Sequence, residues 1–402
     1  MKPALNVRDF GAKGDGETKD TAAVQKALDA CMAAGGGTVL VPSGDYLIGS
    51  VVVGSNTVLQ LERGANLSGS PDIADYPLAR VRWEGEFAEG HRALLSSAKA
   101  DNITITGPGS IIGPPLNMSR LRNPRGPLLI ELATGSNVVL SGFTTQYQRL
   151  WSIHLLDCSH LTMRNLTIRS ILVNGDGIDV DSCQDVLIEH CNVDTGDDAV
   201  ALKSGRGMEA VRTGRATQNV EIKDCTLSSS IFAGLALGSE MSGGIRDVRV
   251  EHCSISGRQN GIFIKSREGR GGFIENIEGR NLTINNSATF LTIRLLKTGI
   301  QASEPVPGAI EKWARVHNIS FHDIKVNNVG QLVNAQDIPR ERPVDGLSLE
   351  NISGTCEKGV SLAHITDVKL AGINVTGFQG PLVTTNSVRN AGLENPKTKD
   401  RN

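Results

Sequence analysis

Two acidic stretches carry the residues whose types and spacing are best suited to chemistry: Asn174-Gly-Asp-Gly-Ile-Asp-Val-Asp-Ser182 and Thr195-Gly-Asp-Asp-Ala-Val-Ala-Leu-Lys-Ser204. When Ile178 is aligned with Val200, Asp176 falls over Asp198. If the two stretches form parallel strands about 4.8 Å apart, Asp176, Asp197 and Asp198 become neighbours. Close like charges push at least one carboxyl group toward its protonated form. The cluster would then offer a general acid beside a general base, the pair that cleaves a glycosidic bond.

Short strands are the elements that must position these residues. Apolar side chains recur two positions apart in both stretches and in two later ones: Ile178/Val180, Val200/Leu202, Leu235/Leu237 and Ile262/Ile264. This period of two predicts strands with one buried face. The opposite face then presents two columns: Asp179, Ala201, Ala236 and Phe263 in one, and Asp181, Lys203, Gly238 and Lys265 in the other. The columns predict a groove with an acidic floor and a basic flank.

Two other interpretations of the acidic stretches stay open. Aspartates in turns often bind backbone amides and cap strand ends without any catalytic role. Three carboxylates also form an oxygen cage suited to Ca²⁺, as in a metal-dependent polysaccharide lyase in which Lys203 or Lys265 acts as the base. Sensitivity to a chelator and an unsaturated product would distinguish such a lyase from a hydrolase.

A recurring phrase predicts the fold. From about residue 100, an Asn or Asp precedes an apolar–x–apolar pair, as at Asn137, Asp185 and Asn219. Repeats of about 20–30 residues with short strands and turn-forming Asn or Asp describe one coil of a parallel β-helix. A β-propeller would need four strands per repeat, and a doubly wound fold would need helices between strands. We therefore predict an all-β protein: a single-stranded right-handed parallel β-helix with an N-terminal capping helix.

No linker divides the chain, so we expect a single domain over residues 1–402. Residues 20–34 have the spacing of an amphipathic helix, with Asp20 or Thr21 as its cap and Gly35-Gly-Gly37 at its end. This helix would cover the open end of the coils. The expected parts are an N-terminal cap region (1–50), β-helix coils (100–386) and a loose, charged tail (387–402).

Composition excludes several function classes. With 41 basic and 43 acidic residues the chain is nearly neutral, which argues against binding of nucleic acid or an anionic membrane. No run of about 18 apolar residues is present to span a membrane. The first residues have no apolar signal core, and the location stays open between the cytoplasm and a processed periplasmic or secreted enzyme. The oligomeric state is not predicted.

The seven cysteines follow the repeat. Cys191, Cys225 and Cys253 occupy equivalent places in successive repeats. Equivalent places in stacked coils are neighbours, so these cysteines predict a column of small buried thiols. A metal site is the less favoured interpretation because no Cys-x-x-Cys spacing is present.

Asn174-Gly-Asp-Gly-Ile-Asp179, Gly196-Asp-Asp198 and Ile264-Lys265 resemble the signature of the polygalacturonases, glycoside hydrolase family 28. Cys183 and the stretches 238–244 and 266–272 resemble its bacterial, exo-acting branch. The resemblance implies that Asp197 is the general acid and that Asp176 and Asp198 hold the attacking water. It also implies inversion at the anomeric carbon, no metal and no cofactor, and a pectic carbohydrate as substrate.

Two departures from the family pattern affect recognition of the substrate. The family's Gly-His-Gly falls at about 231–234, where this chain has Ile-Phe-Ala-Gly, and its Arg-Ile-Lys falls on Phe263-Ile-Lys265. Gly175 also replaces a threonine. By the resemblance, the missing histidine and arginine hold the substrate and its carboxylate, whereas the aspartates break the bond. We therefore expect weak activity on plain polygalacturonate and a less acidic sugar at one subsite, such as rhamnose in rhamnogalacturonan or in a rhamnoside.

The candidate substrate-binding residues are Asp179, Lys203, Glu240, Phe263, Lys265 and Arg267. Sugar rings stack on aromatic side chains, which also makes Trp83 and Trp151 candidates, although a core role fits the tryptophans equally well. Insertions at 80–89 and 116–127 would wall off one end of the groove and favour exo action. The alternative functions are a calcium-dependent lyase or epimerase and a non-catalytic carbohydrate-binding β-helix.

Overall fold

Short parallel strands account for most of the structure, a computed structural model that describes residues 3–116, 124–297 and 312–394. The chain divides into two units, Met1–Asp197 and Asp198–Asn402. Both units are built of parallel β-helix coils. The predicted fold class, a single-stranded right-handed parallel β-helix with an N-terminal capping helix, is confirmed. Within the described residues, no helix is both long and apolar enough to cross a membrane.

The first unit contains helix α1 (Thr21–Ala33) and two short 3₁₀ helices (Val7–Phe10 and Ile73–Asp75). Its strands are β1 (Leu5–Asn6), β2 (Asp15–Lys19), β3 (Gly37–Val41), β4 (Gly44–Ile48), β5 (Val51–Val52), β6 (Thr57–Leu61), β7 (Ala65–Gly69), β8 (Leu78–Trp83), β9 (Glu86–His91), β10 (Leu95–Ala98), β11 (Ile103–Thr106), β12 (Ser110–Ile112), β13 (Ile130–Ala133), β14 (Ser136–Ser141), β15 (Thr144–Gln146), β16 (Ile153–Leu156), β17 (Ser159–Arg164), β18 (Thr167–Arg169), β19 (Ile178–Asp181), β20 (Gln184–Glu189) and β21 (Asn192–Thr195).

The second unit contains helix α2 (Gly207–Thr213), which interrupts the repeat after its first strand. Its strands are β22 (Val200–Lys203), β23 (Thr217–Lys223), β24 (Thr226–Ser229), β25 (Ala233–Leu237), β26 (Ile245–Glu251), β27 (Ser254–Gly257), β28 (Asn260–Arg267), β29 (Phe273–Asn285), β30 (Thr289–Leu296), β31 (Arg315–Ala335), β32 (Val344–Ala363), β33 (Ile365–Thr376), β34 (Val383–Asn386) and β35 (Arg389–Glu394).

Helix α1 occupies the predicted place and buries the predicted face: Ala23, Val24, Ala27, Leu28 and Cys31. The Asp20 side chain does not cap the helix, because its carboxylate accepts the backbone N–H groups of Lys13 and Gly14 at 2.7 and 2.9 Å. Asp20 therefore ties the turn-rich opening of the chain to the start of the helix.

The Asn or Asp that begins each repeat has a backbone role. Asn137, Asp185 and Asn219 all have φ between 55° and 57°, the left-handed region that Asn and Asp tolerate better than most residues. In the first unit the amide of Asn137 also donates to Asn102, and that of Asn102 to Asn56, at 3.1 and 2.8 Å. The residues that bend the chain thus bond to their counterparts on neighbouring coils.

The predicted alignment of apolar pairs holds within each unit. In the first unit Ile178 pairs with Ile153 on the preceding coil. In the second unit Val200 pairs with Leu235, and Leu235 with Ile262. The predicted column of Ala201, Ala236 and Phe263 has the same register. Because side chains alternate between faces, this register fixes which residues of β22, β25 and β28 are presented outward.

Two predicted boundaries need correction. The coils begin well before residue 100, since β3, β6, β11 and β14 already pair in parallel. The expected loose tail is also partly a strand, because β35 pairs in parallel with β33. Charge on a terminal segment does not prevent main-chain pairing with the preceding coil. Residues 395–402 lie outside the described residues, and the single domain over 1–402 stays a prediction.

The seven cysteines are buried and form no disulfide. In the second unit Cys225 and Cys253 are neighbours on successive coils, and contact with Cys225 together with burial raises the pKa of the Cys253 thiol well above its ordinary value. These two residues fit the predicted column of small buried thiols.

Strands β8 and β9 form an antiparallel hairpin where the sequence predicted an insertion. Its Arg82 lies 3.2 Å (Nε to Oδ2) from Asp181 on β19. Its Trp83 ring stacks on that of Trp151, with ring centroids 4.4 Å apart. An ion pair and an aromatic stack therefore fix the hairpin to the coils of the first unit. Of the second predicted insertion, 116–127, residues 117–123 lie outside the described residues.

Beneath this hairpin the ion pair belongs to a buried cluster of charges. His154 Nδ1 lies 3.4 Å from Glu131, and its Nε2 lies 3.7 Å from Asp181. Burial lowers the pKa of His154, but Asp181 and Glu131 outweigh it and raise that pKa to about 9. Burial raises the pKa of Asp181, but Arg82 and the imidazolium outweigh it, and the net shift is downward. Arg82 and the imidazolium of His154 thus face the carboxylates of Asp181 and Glu131.

We predict that the free energy of unfolding falls as the pH rises from about 6.5 to 9. His154 takes up a proton at pH values where it would be neutral in the unfolded chain, since its folded pKa of about 9 exceeds the ordinary 6.5. Its contribution is complete below pH 6.5 and is lost through pH 9. At about 1.4 kcal/mol per unit of pKa, the contribution of His154 protonation to the free energy of unfolding is on the order of 3 kcal/mol. Urea unfolding across this pH range measures it.

The matched control is the exposed histidine His160, which is paired with Asp185 at 3.4 Å on the surface. His160→Gln should keep the pH slope of the wild-type protein, whereas His154→Gln should flatten it in addition to lowering stability. A wild-type slope that persists in His154→Gln would show that the imidazole is neutral in the folded state.

Candidate active site

Two of the three predicted catalytic carboxylates meet within the first unit. Asp176 lies just before β19, and Asp197 follows β21. Their carboxylate oxygens come within 4.8 Å of each other. The backbone N–H of Asn174 donates to Asp197 Oδ2 at 2.8 Å, which fixes the orientation of that carboxylate. Asp197 keeps 8% of its surface exposed, compared with 3% for Asp176, so it is the more accessible of the two to a substrate.

The glycines beside these aspartates are required by close backbone contacts. A Cβ at Gly175 would lie 2.0 Å from the hydroxyl oxygen of Ser170, and one at Gly196 would lie 2.4 Å from the carbonyl oxygen of Leu172. The Ser170 hydroxyl donates to the carbonyl of Gln148 at 2.8 Å and stays in that place. The threonine that the family has in place of Gly175 would therefore not fit here. The segment before Asn174 packs directly against both acidic turns.

The third aspartate, Asp198, opens the second unit and is the next residue along the chain. It is buried, with 2% of its surface exposed. Its Oδ1 accepts the backbone N–H of Ala233 at 3.2 Å, and its Oδ2 accepts from Lys265 Nζ at 2.8 Å. Ala233 lies in the stretch 231–234, where the family pattern has its histidine, so in this stretch a main-chain donor faces the aspartate.

Lys265 is held as a cation by this contact. Burial lowers the pKa of its ammonium group, but the charge and hydrogen bond of Asp198 outweigh burial, and the net shift is upward. Glu240 adds a smaller effect in the same direction. Lys265 therefore stays protonated at neutral pH and is unsuited to act as the base that the lyase alternative requires.

Phe263 lies on a floor of small side chains in the second unit. Its half-buried ring packs against Ala201, Ala233 and Ala236. The ammonium of Lys265 lies 5.3 Å from the ring centroid. Positions 263 and 265 therefore carry an apolar ring and one cation, where the family pattern has an arginine and a lysine.

The remaining predicted binding residues of the second unit differ in surroundings. Lys203 and Glu240 are both buried and lie 3.7 Å apart, Nζ to Oε2. Ser239 also donates to Glu240, at 3.3 Å. Arg267 is half-buried near the end of β28. Contact of these residues with a sugar stays a prediction.

Asp179 is fully buried in the first unit and pairs in register with His154. Its contact with a sugar stays a prediction. Trp151 is 2% exposed and belongs to the core.

One cation near the acidic turns was missed by the sequence analysis. Arg125 lies over the ring of Trp83, with its guanidinium carbon 3.6 Å from the ring centroid. Its Nη2 donates to the side-chain oxygen of Asn174 at 3.3 Å. Arg125 lies far from Asn174 along the chain and outside the repeat, and no local pattern connects them. The one usable signal was its position within the insertion at 116–127.

The amino-acid sequence is similar to a known protein family and to several of its members. The sequence profile described as Glycosyl hydrolases family 28 matches residues 31–330. A probable polygalacturonase of Vitis vinifera is 31% identical over 87% of this chain and 74% of its own length. An exo-poly-alpha-D-galacturonosidase of Dickeya chrysanthemi is 27% identical over 93% of this chain and 68% of its own length.

Solved structures support the fold independently. The family 28 exopolygalacturonase of Yersinia enterocolitica superposes with a TM-score of 0.86 over 97% of this chain and 78% of that chain, at 21% sequence identity. Both the sequence and the fold of this chain therefore match family 28 proteins over most of its length. The chain belongs to family 28 of the glycosyl hydrolases and is a polygalacturonase-like glycoside hydrolase.

Proposed function

We propose that this enzyme hydrolyses α-glycosidic bonds of pectic polysaccharides or oligosaccharides with inversion. Asp197 donates its proton to the glycosidic oxygen as the bond to the leaving sugar breaks. Asp176 and Asp198 hold a water molecule, accept its proton and direct its oxygen at the anomeric carbon. These carboxylates lie closer together than is typical of inverting enzymes, so their separation does not predict the stereochemistry at the anomeric carbon.

The observation that carries this assignment is the contrast between Asp197 and Asp198. Asp198 is held by the Lys265 ammonium at 2.8 Å and by the backbone N–H of Ala233, and these two contacts orient its carboxylate. Asp197 is held by a backbone N–H, lies within 4.8 Å of the carboxylate of Asp176 and is the more exposed residue. Neighbouring negative charge favours a protonated carboxyl, which a general acid needs.

We predict that Asp197→Asn lowers sugar release by about 10²–10⁴-fold, because an amide keeps the shape of the acid without its proton. A reducing-sugar assay on a panel of pectic oligosaccharides measures the change. The matched control is Asp194→Asn, an exposed aspartate on β21, the strand that precedes Asp197, and this variant should keep wild-type activity.

Activity should also survive a chelator, and products should show no absorbance of an unsaturated sugar. Loss of activity with chelator and its return on adding Ca²⁺ would favour the lyase alternative. Wild-type rates in Asp197→Asn would refute the acid assignment.

We further propose that specificity is shifted away from plain polygalacturonate. Phe263 replaces an arginine that, by the family pattern, would bind a uronate carboxylate. Loss of a charge-assisted, bidentate donor removes on the order of 2 kcal/mol of carboxylate binding, or about 30-fold in affinity. The apolar ring over Ala201 and Ala236 instead suits a less acidic sugar, such as rhamnose.

We predict that Phe263→Arg raises kcat/KM on polygalacturonate by about tenfold or more, since it restores a guanidinium beside Lys265. Activity on a rhamnose-containing substrate should fall. Phe263→Leu is the matched control, because it removes the ring without adding charge and should not improve use of polygalacturonate. High wild-type activity on polygalacturonate, unchanged by Phe263→Arg, would contradict the proposed shift.

Exo action is the third part of the proposal. The hairpin of β8 and β9 is fixed by the Arg82–Asp181 ion pair and the Trp83–Trp151 stack, so it acts as a rigid wall on the first unit. A wall beside the catalytic turns limits a chain to entry by its end. The relative from Dickeya chrysanthemi is an exo-acting enzyme by name. Relatives occur in plants and bacteria, and membership of the bacterial branch stays a prediction.

We predict that the earliest products from an end-labelled oligosaccharide are of a single small size, because each cut begins at a chain end. Chromatography of products at low conversion measures this. A mixture of oligomers at the first time points would indicate internal cleavage and contradict exo action.

A further inference from the structure

The outward columns of the second unit continue from β28 onto the next coil. On β30, Thr292 pairs in register with Phe263, and Arg294 pairs with Lys265. Parallel strands in register present equivalent side chains on the same face, so Thr292 and Arg294 extend these two columns. The face that carries the Phe263 ring therefore has a further cation one coil away.

The floor of this face changes in character at Phe263. On one side the ring packs against a cluster of alanine side chains. On the other side the next two coils present Thr292 and Asn334, which pair with each other in register. Thr292 is buried and its hydroxyl donates to Asn260, whereas Asn334 is half-buried. The apolar floor thus gives way to a polar one, which suits a sugar with more polar substituents.

Arg294 is held at one edge of its guanidinium. Its Nε donates to Oδ2 of Asp337 at 2.8 Å, and the backbone N–H of Leu295 donates to the carbonyl of Asp337 at 2.7 Å. Within the part of the chain that the structure describes, Asp337 is the one ionic partner of Arg294, and it engages only Nε. A guanidinium is planar and can bind two carboxylates along different edges. The edge formed by Nη1 and Nη2 is therefore placed to meet a second carboxylate.

Arg294 is also the most exposed cation of its column. The side chain of Lys203 is 6% exposed and lies 3.7 Å from the buried Glu240. That of Lys265 is 24% exposed and donates to the buried Asp198 at 2.8 Å. That of Arg294 is 43% exposed. Both lysines thus pair with buried carboxylates, whereas Arg294 reaches the solvent, where a ligand can approach it.

We propose that Arg294, positioned by Asp337, binds the carboxylate of a uronate residue and is a specificity-determining residue of this enzyme. The inference rests on the proposed function and deepens it. The family pattern has an arginine at position 263, and this chain has one on the next coil, about 4.8 Å along the stack. Recognition of charge is therefore moved by one coil. The substrate class is mixed: a sugar without a carboxylate at Phe263 and a uronate at Arg294, both on the second unit.

The test is the preference for a free acid over its methyl ester, since esterification removes the charge and keeps the sugar. Titration calorimetry on the non-hydrolysing Asp197→Asn protein compares a rhamnogalacturonan tetrasaccharide with its methyl-esterified form. The acid should bind about fivefold to tenfold more tightly than the ester, because solvent weakens a charged hydrogen bond at a half-exposed site. In the double variant with Arg294→Gln this ratio should fall close to one, with the affinity for the ester unchanged.

Two further variants separate local recognition from a general effect of charge. Arg294→Lys keeps the charge without the planar edge and should retain part of the preference for the acid. Arg315→Gln is the matched control, because Arg315 is 55% exposed, pairs with Glu275 at 3.0 Å and lies in the part of β31 that pairs with β29. Its acid-to-ester ratio should equal that of the parent protein. Thermal melting shows that each variant is folded.

Each outcome decides the inference. It is overturned if Arg294→Gln keeps the acid-to-ester ratio of the parent, or if Arg294→Gln and Arg315→Gln lower that ratio equally. An equal loss of affinity for acid and ester in Arg294→Gln would also overturn it, since that result indicates a structural role only. A parent that binds acid and ester equally well would refute charge recognition and leave the pectic substrate in place. A parent that binds neither this tetrasaccharide nor tetragalacturonate would refute the pectic substrate of the proposed function, and the inference with it.

Discussion

Main-chain pairing of parallel strands in one fixed register is the interaction on which the catalytic groups depend. Side chains alternate between faces, so a slip of one residue in β28 would turn Phe263 and Lys265 into the core and Ile264 outward. The left-handed Asn and Asp at the repeat starts oppose such a slip, because each must meet the same turn on its neighbouring coil. The short contact between Lys265 and Asp198 exists only in this register.

What depended on local pattern was predicted well from the sequence. Helix α1, the coil repeat and the column of Ala201, Ala236 and Phe263 follow from periodicity of three to four or of two residues. The approach of Asp176 to Asp197 followed from aligning two strands of equal pattern. In the strand columns the residues that meet are one coil apart, so the repeat itself carries the information.

The contacts made by an insertion could not be predicted from the repeat. The hairpin of β8 and β9 does not follow the repeat, so nothing in its sequence indicates that Arg82 reaches Asp181 or that Trp83 stacks on Trp151. The burial of Asp179 shows the same limit: alternation assigns a residue to a face of the strand, but what covers that face decides whether the residue is buried. Contacts between distant segments without a shared period leave no pattern to detect.

The charged residues beneath this hairpin illustrate how a buried ionic cluster can fix an insertion to the coils. Burying Arg82, His154, Asp181 and Glu131 costs desolvation energy that pairing only partly offsets, so such a cluster contributes little net stability. Its effect is geometric: the hairpin has one position, and Trp83 therefore has one position. We infer that the buried charge cluster holds the hairpin in one position on the coils, and this accounts for an ionic core beneath an otherwise apolar stack.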